Sequence, residues 1–319
     1  MICFSKALCG KKSSYGEGKM KIYHNDIIGS KDLVHIYNEQ LKDTPYFYHV
    51  LPDEFQDGIY NRINQEDGAN LESEKLIIGE EGSKILGFAQ VSIGEVKQFG
   101  QSKEGGFIHF LTYKSGHRLI GQAILDECEK YLCGLGVSQI WAFLHASNYR
   151  FYHLGFGYLS DKMAHVYGLF CMNKYEKDIG EVFLSYPEYE ITEPILPNEQ
   201  IKIVVTKKDG SGTLPNLHVQ ALLDDYEIGE CYTISLGEFY RAKEAQTSFF
   251  TKWLGVEEKD QGKGLGRYLL QRTLWEMRNL GYKNAIISTN ITNYRAQLFY
   301  TNFGYKLVDT AYGLAKRLD

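Results

Sequence analysis

Long apolar runs are missing from this sequence. None approaches the roughly 20 residues that span a bilayer, so no membrane protein is expected. An excess of positive charge is missing too. The chain has 35 Lys and Arg against 40 Asp and Glu, a net charge of −5, which argues against a general nucleic-acid or anionic-membrane binder. The six cysteines (Cys3, Cys9, Cys128, Cys133, Cys171 and Cys231) form no CxxC pair and no Cys/His ligand spacing. They read as free thiols of a cytoplasmic protein. His109, His145 and His153 stand singly, so no metal site is expected. The leader "MICFSKALCGKKSSYGEGK", residues 1–19, has a short apolar part with no basic residue before it, unlike a signal peptide. Cys9 follows "KAL", a poor lipoprotein cleavage site. We read the leader as a mis-assigned start, with Met20 as the first residue and "GEG" as the translation of a purine-rich ribosome-binding sequence.

What is present is glycine in a particular place. In "FFTKWLGVEEKDQGKGLGRYLLQRTLWEMRNLGY", Gly262, Gly264 and Gly266 alternate between two kinds of pattern. Phe249 to Val256 is aromatic and branched, as strands are. Gly266, Leu269, Leu270, Leu274, Met277 and Leu280 then fall at helical spacing. An earlier stretch repeats the arrangement. The strand-like run Phe107 to Tyr113 leads into Arg118, Gly121 and Ala123, then into Ile124, Cys128, Tyr131, Leu132 and Leu135 at helical spacing. Each helix stops at a glycine, Gly136 or Gly281. Each is followed by a strand, "QIWAFLH" or "NAIISTN", and then by "NYR" at 148–150 or 293–295.

Two copies of one unit in 319 residues imply a duplicated α/β domain with a mixed sheet. The expected boundary falls where "YGLFCMNKYEKDIGE" loses periodicity, giving units at 20–170 and 171–319. The first has room for helices before its loop, in "SKDLVHIYNEQLKD" and "PDEFQDGIYNRI"; in the second they look reduced or missing. Part of a substrate wall for one unit is then expected from the other.

The glycine loop has rivals to exclude. A Walker A loop requires GxxxxGK followed by Ser or Thr, and "GKGLGR" does not supply it. A dinucleotide fingerprint requires GxGxxG after the first strand of a βαβ unit, whereas here position 267 is Arg and the loop lies deep in its unit. The order of elements decides: Gln261-x-x-Gly264-x-Gly266 opens a helix, and after the next strand come Asn293-x-x-Ala296, Phe299-Tyr300 and Gly304-Tyr305. This resembles the GNAT family of N-acetyltransferases, whose signature is (Gln/Arg)-x-x-Gly-x-(Gly/Ala). Arg118, Gly121 and Ala123 satisfy it in the first unit. The pair resembles the tandem-GNAT arrangement of mycothiol synthases and Eis-type acetyltransferases.

The resemblance implies a cytoplasmic, acetyl-CoA-dependent N-acetyltransferase acting on a small-molecule or peptide amine. The pyrophosphate would meet the first turn of the helix, where amides are unpaired and the dipole is positive. Gln261, Gly262, Gly264 and Gly266 form this cradle, while Lys263 and Arg267 either touch phosphate or stand in solvent. The pantetheine arm would pair with strand backbone around Leu254 to Val256, where an N–H stabilises the oxyanion. Asn293 either touches cofactor or caps its helix. Arg118, Gly121 and Ala123 mark a second cofactor site. Trp253 and Phe250 read as core.

Tyr300 occupies the family's position for the general acid that protonates the departing thiolate. No general base is assigned. Glu257 and Glu258 read as solvent-exposed, while Asp224, Asp225, Glu227 and Glu230 stay open as alternatives. In the first unit "NYRFYHLGFGY" is compressed, so Phe151 or His153 stands where a tyrosine is wanted, and catalysis is placed in the second unit. Two other classes compete: a non-catalytic acyl-CoA sensor or scaffold, and an aminoacyl-tRNA-dependent peptidyltransferase. The second would show a long helical arm and a basic RNA-binding surface, and neither is visible.

Overall fold

The computed structural model describes residues 20–25, 31–60, 69–98, 100–145 and 149–318; the leader lies outside them. In chain order, β1 (Met20–Asn25), α1 (Lys31–Leu41) and α2 (Pro52–Tyr60) precede β2 (Ala69–Glu81), β3 (Lys84–Gln98) and β4 (Gln101–Tyr113). Then come α3 (Arg118–Gly134), β5 (Gln139–Ala142), β6 (Leu159–Ser160), α4 (Ala164–Met172) and β7 (Glu176–Tyr186). The second half holds β8 (Lys202–Lys208), β9 (Asn216–Leu223), β10 (Tyr226–Ser235) and β11 (Ser248–Val256). It ends with α5 (Leu265–Asn279), β12 (Asn284–Asn290), α6 (Tyr294–Phe303) and β13 (Lys306–Arg317).

The two glycine-loop units build the same supersecondary piece. β4 and β5 pair in parallel across α3, and β11 and β12 pair in parallel across α5. A parallel pair needs such a crossover, since a tight turn cannot reverse the chain twice. Helix α5 buries Leu269, Leu270, Leu274 and Met277 completely against β9–β11. Each such side chain contributes about 1.5–3 kcal/mol by leaving water. The β9–β10 hairpin turns on Asp224 and Asp225, both with positive φ of 51° and 63°, as a two-residue type I′ turn requires.

The strands of both halves join one mixed sheet in the order β1-β2-β3-β4-β5-β13-β7-β12-β11-β10-β9-β8, with β6 on β13. The chain crosses itself at the centre. The end of β13, Leu314–Arg317, pairs with β5 of the first half, while β7 pairs with β12 of the second. Because β13 also pairs with β7, these two strands knit the halves together.

Helix cover is unequal, as expected. In the first half, a Cβ at Gly87 would meet Ile124 of α3, while the neighbouring Phe88 packs on Phe55 of α2. Successive strand residues face opposite sides, so that half is covered on both faces. In the second half α5 covers one face, and residues 209–215 between β8 and β9 contain no helix.

One stretch expected to be irregular is regular. "AHVYGLFCM" forms α4, apolar at nearly every position, so no helical period shows in its pattern.

Candidate functional site

The parallel register of β11 with β12 runs only from Ser248–Asn284 to Thr251–Ile287. Beyond Thr251 the strands part. β11 stays on β10, with Leu254 opposite Cys231 and Val256 opposite Gly229, while β12 stays on β7. Leu254–Val256 thus have a strand on one side and, among the described residues, none on the other.

A β-bulge opens the split. Tyr232 pairs with Trp253 and Thr233 with Thr251, leaving Lys252 as the extra residue. The bulge also corrects the expectation for Trp253. Strict alternation from buried Phe249 puts Trp253 in the core, but the inserted residue turns it to the face of Tyr232 and His218, where it is 58% exposed. Phe250 is buried as expected, against Phe156 of the first half.

At the C-terminal end of β11 the chain enters the glycine loop. Gly262 and Gly264 have φ of 76° and 88°, and a Cβ at either would meet nothing within 4 Å. The positive φ, not crowding, is therefore what favours glycine here. Gly264 is the N-cap of α5, whose first internal bond runs from the Tyr268 amide to the Gly264 carbonyl. The amides of Leu265, Gly266 and Arg267 precede that bond and lie at the loop. Gln261 ties the loop down: its Nε2 donates to the Val256 carbonyl at 2.9 Å, and its Oε1 accepts from Arg295 at 3.0 Å. Lys263 pairs with Asp260 at 3.0 Å, and the Arg267 guanidinium lies 5.6 Å from the Phe303 ring centroid. Asn293 caps α6, its Oδ1 accepting from the Ala296 amide at 3.2 Å. Asn293→Ala is expected to cost about 1 kcal/mol of stability, read by thermal unfolding.

Tyr300 projects from α6 into the core beside Tyr305 and Phe299. Burial pushes its phenol well up, and the Cys231 thiol, itself pushed up to about 12, adds to the effect. Since Cys231 faces Leu254 across the β10–β11 register, Tyr300 is drawn to the strand segment past the split. Tyr300, Leu254, Val256 and the loop are thereby brought to one end of β11.

Of the carboxylates considered as a base, Glu230 stands opposite Gly255, within the Leu254–Val256 segment, and the others fall elsewhere. Asp224 and Asp225 sit at a hairpin tip, Glu227 is bonded to Gln220, and Glu257 and Glu258 are exposed. Glu230 accepts from His218 Nε2 at 2.6 Å beside Trp253. Together with Lys208, Tyr232 and Lys252 these residues line a cleft of about 300 Å³ on the uncovered face. A larger cavity of about 770 Å³, lined by Glu54, Asp57, Arg150, Glu238 and Arg241, opens at the other end of β11.

The first half repeats the split but fills it. β4 pairs with β5 only from Gly106–Ile140 to Ile108–Ala142 and runs on to Tyr113. There the Tyr113 carbonyl accepts from His165 Nε2 at 3.1 Å, and the Tyr113 hydroxyl donates to the His165 carbonyl at 2.9 Å. A Cβ at Gly121 would lie 2.5 Å from the Tyr113 ring. Arg118 is exposed at the start of α3, and Ala123 is half-buried one turn on. The counterpart of α6 is a single turn, His153–Gly155, whose His153 lies 2.9 Å from buried Asp309.

Cys128, Cys133, Cys171 and Cys231 are unpaired; Cys3 and Cys9 lie outside the described residues. Among the described residues, no group of His, Cys, Asp and Glu could hold a metal ion, and no helix is long and apolar enough to cross a membrane.

A parallel strand pair that parts beside a glycine-rich helix start is thus open in the second half and filled in the first. The family comparison gives the class: residues 218–307 match the acetyltransferase (GNAT) domain, so the second half carries a GNAT acetyltransferase domain. The whole chain shares its fold with solved GNAT structures. A tandem GNAT protein from the clavulanic acid biosynthesis pathway superposes with a TM-score of 0.64 at 9% identity, covering 94% of this chain and 98% of that one. A GCN5-related N-acetyltransferase from Sphaerobacter thermophilus gives 0.59 at 11%, covering 93% and 95%. The glucosamine N-acetyltransferase region of a fungal multi-domain β-N-acetylglucosaminidase gives 0.61 at 15%, covering 95% of this chain and 39% of that one. At these identities the likeness is one of fold. No curated protein matches the sequence.

Proposed function

We propose that the chain is an acetyl-CoA-dependent N-acetyltransferase that transfers an acetyl group to a primary amine by direct attack, with its site in the second half. The carrying observation is the split past Thr251 and Ile287, which sets the Leu254–Val256 backbone, the loop of α5 and Tyr300 at one end of one strand. The residues fit acetyl-CoA. The loop offers amides without side chains over them, and a Cβ at Gly266 would come no nearer than 3.6 Å to Val256. Gly262, Gly264 and Gly266, with the amides of Leu265 and Arg267, would hold the pyrophosphate, with Lys263 and Arg267 at the rim. Leu254–Val256 would pair with the pantetheine arm, and Gln261 and Asn293 shape the loop and the start of α6. When bound, acetyl-CoA supplies an acyl carbon activated as a thioester. A backbone N–H of Leu254–Val256 offsets negative charge developing on the acyl oxygen. The Tyr300 hydroxyl, kept protonated by burial, delivers a proton to the leaving sulfur.

We take the units as residues 20–170 and 171–319. The second cofactor site at Arg118, Gly121 and Ala123 is filled from within by Tyr113 and α4, so one acetyl-CoA binds per chain. The acceptor enters on the face that α5 leaves open, beside Trp253 and Tyr232. The unpaired, exposed Cys133 and Cys171 suit a cytoplasmic enzyme.

Calorimetric titration with acetyl-CoA tests the reading, followed by a panel of aliphatic, aromatic and amino-sugar primary amines. One equivalent bound and turnover with an amine are expected. Tyr300→Phe should lower kcat by about 10²-fold with acetyl-CoA affinity kept. Two equivalents would return the first half to the account. Binding without turnover across the panel would favour a sensor or scaffold, and a folded protein that binds none would end the reading.

A further inference from the structure

Glu181 lies on β7, which sits between β13 and β12 at the centre of the sheet, and is 8% exposed. Its Oε1 accepts from the Ser288 hydroxyl at 3.0 Å. Ser288 is the residue after Ile287, where the parallel register ends, so it is the first residue of β12 beyond the split. Glu181 itself aligns with Asn290, two residues further along. Its side chain lies away from α5, because Ala285 and Ile287 belong to the core under α5 while Ile286 and Phe183 belong to the core of the other face. Ser288 continues the Ile286 side and stands opposite Phe183. Glu181 thus stands one strand away from the split, bonded across to the first residue of β12 beyond it and on the side of the sheet away from α5.

Ionisable groups on the elements packed around this face are otherwise engaged. Asp309 on β13 is 2.9 Å from His153 and accepts from Ser160. Lys162 pairs with Asp161, and His145 bonds the Phe156 carbonyl at 3.2 Å. Only burial, which raises it, and the Ser288 hydroxyl, which lowers it, act on the Glu181 carboxyl, and its pKa stands at about 7. An isolated buried carboxylate is costly, and sites that need a proton acceptor near neutrality are where such costs are met.

Resting on the acetyltransferase reading above, we infer that Glu181 is the general base of the second-half site, delivered by β7 across β12 rather than by the strand before the glycine loop. Its carboxylate takes one proton from the incoming ammonium. The nitrogen of the resulting amine forms a bond to the acyl carbon and the carbon–sulfur bond breaks. The sulfur takes a proton from Tyr300, which regains one from the amide nitrogen. In balance, an ammonium and a thioester give an amide, a thiol and one proton passed through Glu181 to solvent.

The inference is tested on the full chain with two readouts. The first needs no turnover: infrared difference spectra of the protein between pH 5 and 9, compared with Glu181→Gln. A carboxyl band that titrates near 7 and is absent from the variant is expected. Ser288→Ala, which removes the lowering bond, should move that titration to higher pH. The second is the pH profile of kcat/KM with the best amine of the panel. The wild type should show an acid limb near the same pH. Glu181→Gln should lose the limb and about 10²-fold in kcat while binding acetyl-CoA normally. A Glu181 carboxylate ionised throughout, or a Gln variant that keeps both rate and limb, overturns the assignment. Failure of the wild type to bind acetyl-CoA instead overturns the acetyltransferase reading, and this inference with it; normal binding with an unchanged Gln variant defeats the inference alone.

Discussion

Gly264→Glu is expected to weaken acetyl-CoA binding by at least about 100-fold, measured by calorimetry on a variant whose circular dichroism matches the wild type. Two effects add. Gly264 has a φ of 88°, and an L-residue there costs about 1–2 kcal/mol or forces the loop to relax. The new carboxylate would also stand at the N-terminus of α5, where the pyrophosphate's own charge is to be received; like charges a few ångströms apart cost on the order of 1–4 kcal/mol at surface dielectrics. Together that is about 3 kcal/mol, or 100-fold in affinity. Gly264→Ala separates the two effects: a Cβ there meets nothing within 4 Å, so only the backbone cost remains and a loss of about 10-fold is expected. Unchanged affinity in the Glu variant would mean that the loop is a helix start and nothing more. The matching probe in the first half should be Arg118→Glu, because any side chain at Gly121 collides with the Tyr113 ring and would report on folding instead.

The local chemistry of the second half was open to reading because it is local. Glycines with positive φ, a helix of leucines behind them and an asparagine three residues before Ala296 each declare themselves within a few positions. The split could be expected from the order of strand, loop, helix and strand. Its cause could not, because the bulge at Lys252 exists only in the pairing of β11 with β10. The sequence alone does not show that pairing, so Trp253 reads as core although it is 58% exposed. The same reason hides the crossing at the centre. That β13 would pair with β5 and β7 with β12 is a matter of long-range register, and neither strand carries a local mark of its partner. Glu181 was missed with it, since a carboxylate in a stretch that looked like a boundary has no chemistry until a partner strand brings Ser288 beside it.

The crossing also bears on how far the halves depend on each other. A domain cut at 170/171 keeps β7 with β12 but leaves β5 without the end of β13. The first half further supplies Phe156 against Phe250, and Glu54 accepts from the Arg241 amide at 2.9 Å. The filled cleft of the first half and the open face of the second are then two sides of one arrangement. One copy has its own helix packed where a cofactor would go; the other lacks the helices that would close its face.

The second large expected effect concerns stability, and it follows from Glu181 whatever the acceptor proves to be. The carboxyl has a pKa of about 7 in the folded chain against an ordinary value of 4.5, and burial is the first cause. Below pH 4.5 it is protonated in both folded and unfolded chains and favours neither. Between 4.5 and 7 the unfolded chain gives up its proton and the folded chain holds it, so folding loses stability as pH rises; above 7 the loss is constant. At 1.36 kcal/mol per pH unit the full loss is about 3 kcal/mol, a large share of the 5–15 kcal/mol that holds a domain folded. Glu181→Gln cannot ionise, and its amide oxygen can still accept from Ser288. Urea unfolding should therefore find it close to the wild type near pH 4.5 and about 3 kcal/mol more stable at pH 8. A more stable but slower variant is the pattern expected of a residue kept at a cost to the fold for the chemistry it performs. If the two proteins instead lose stability in parallel across that range, Glu181 is not held protonated in the folded chain. The split would then need its proton acceptor from the solvent or from the amine itself.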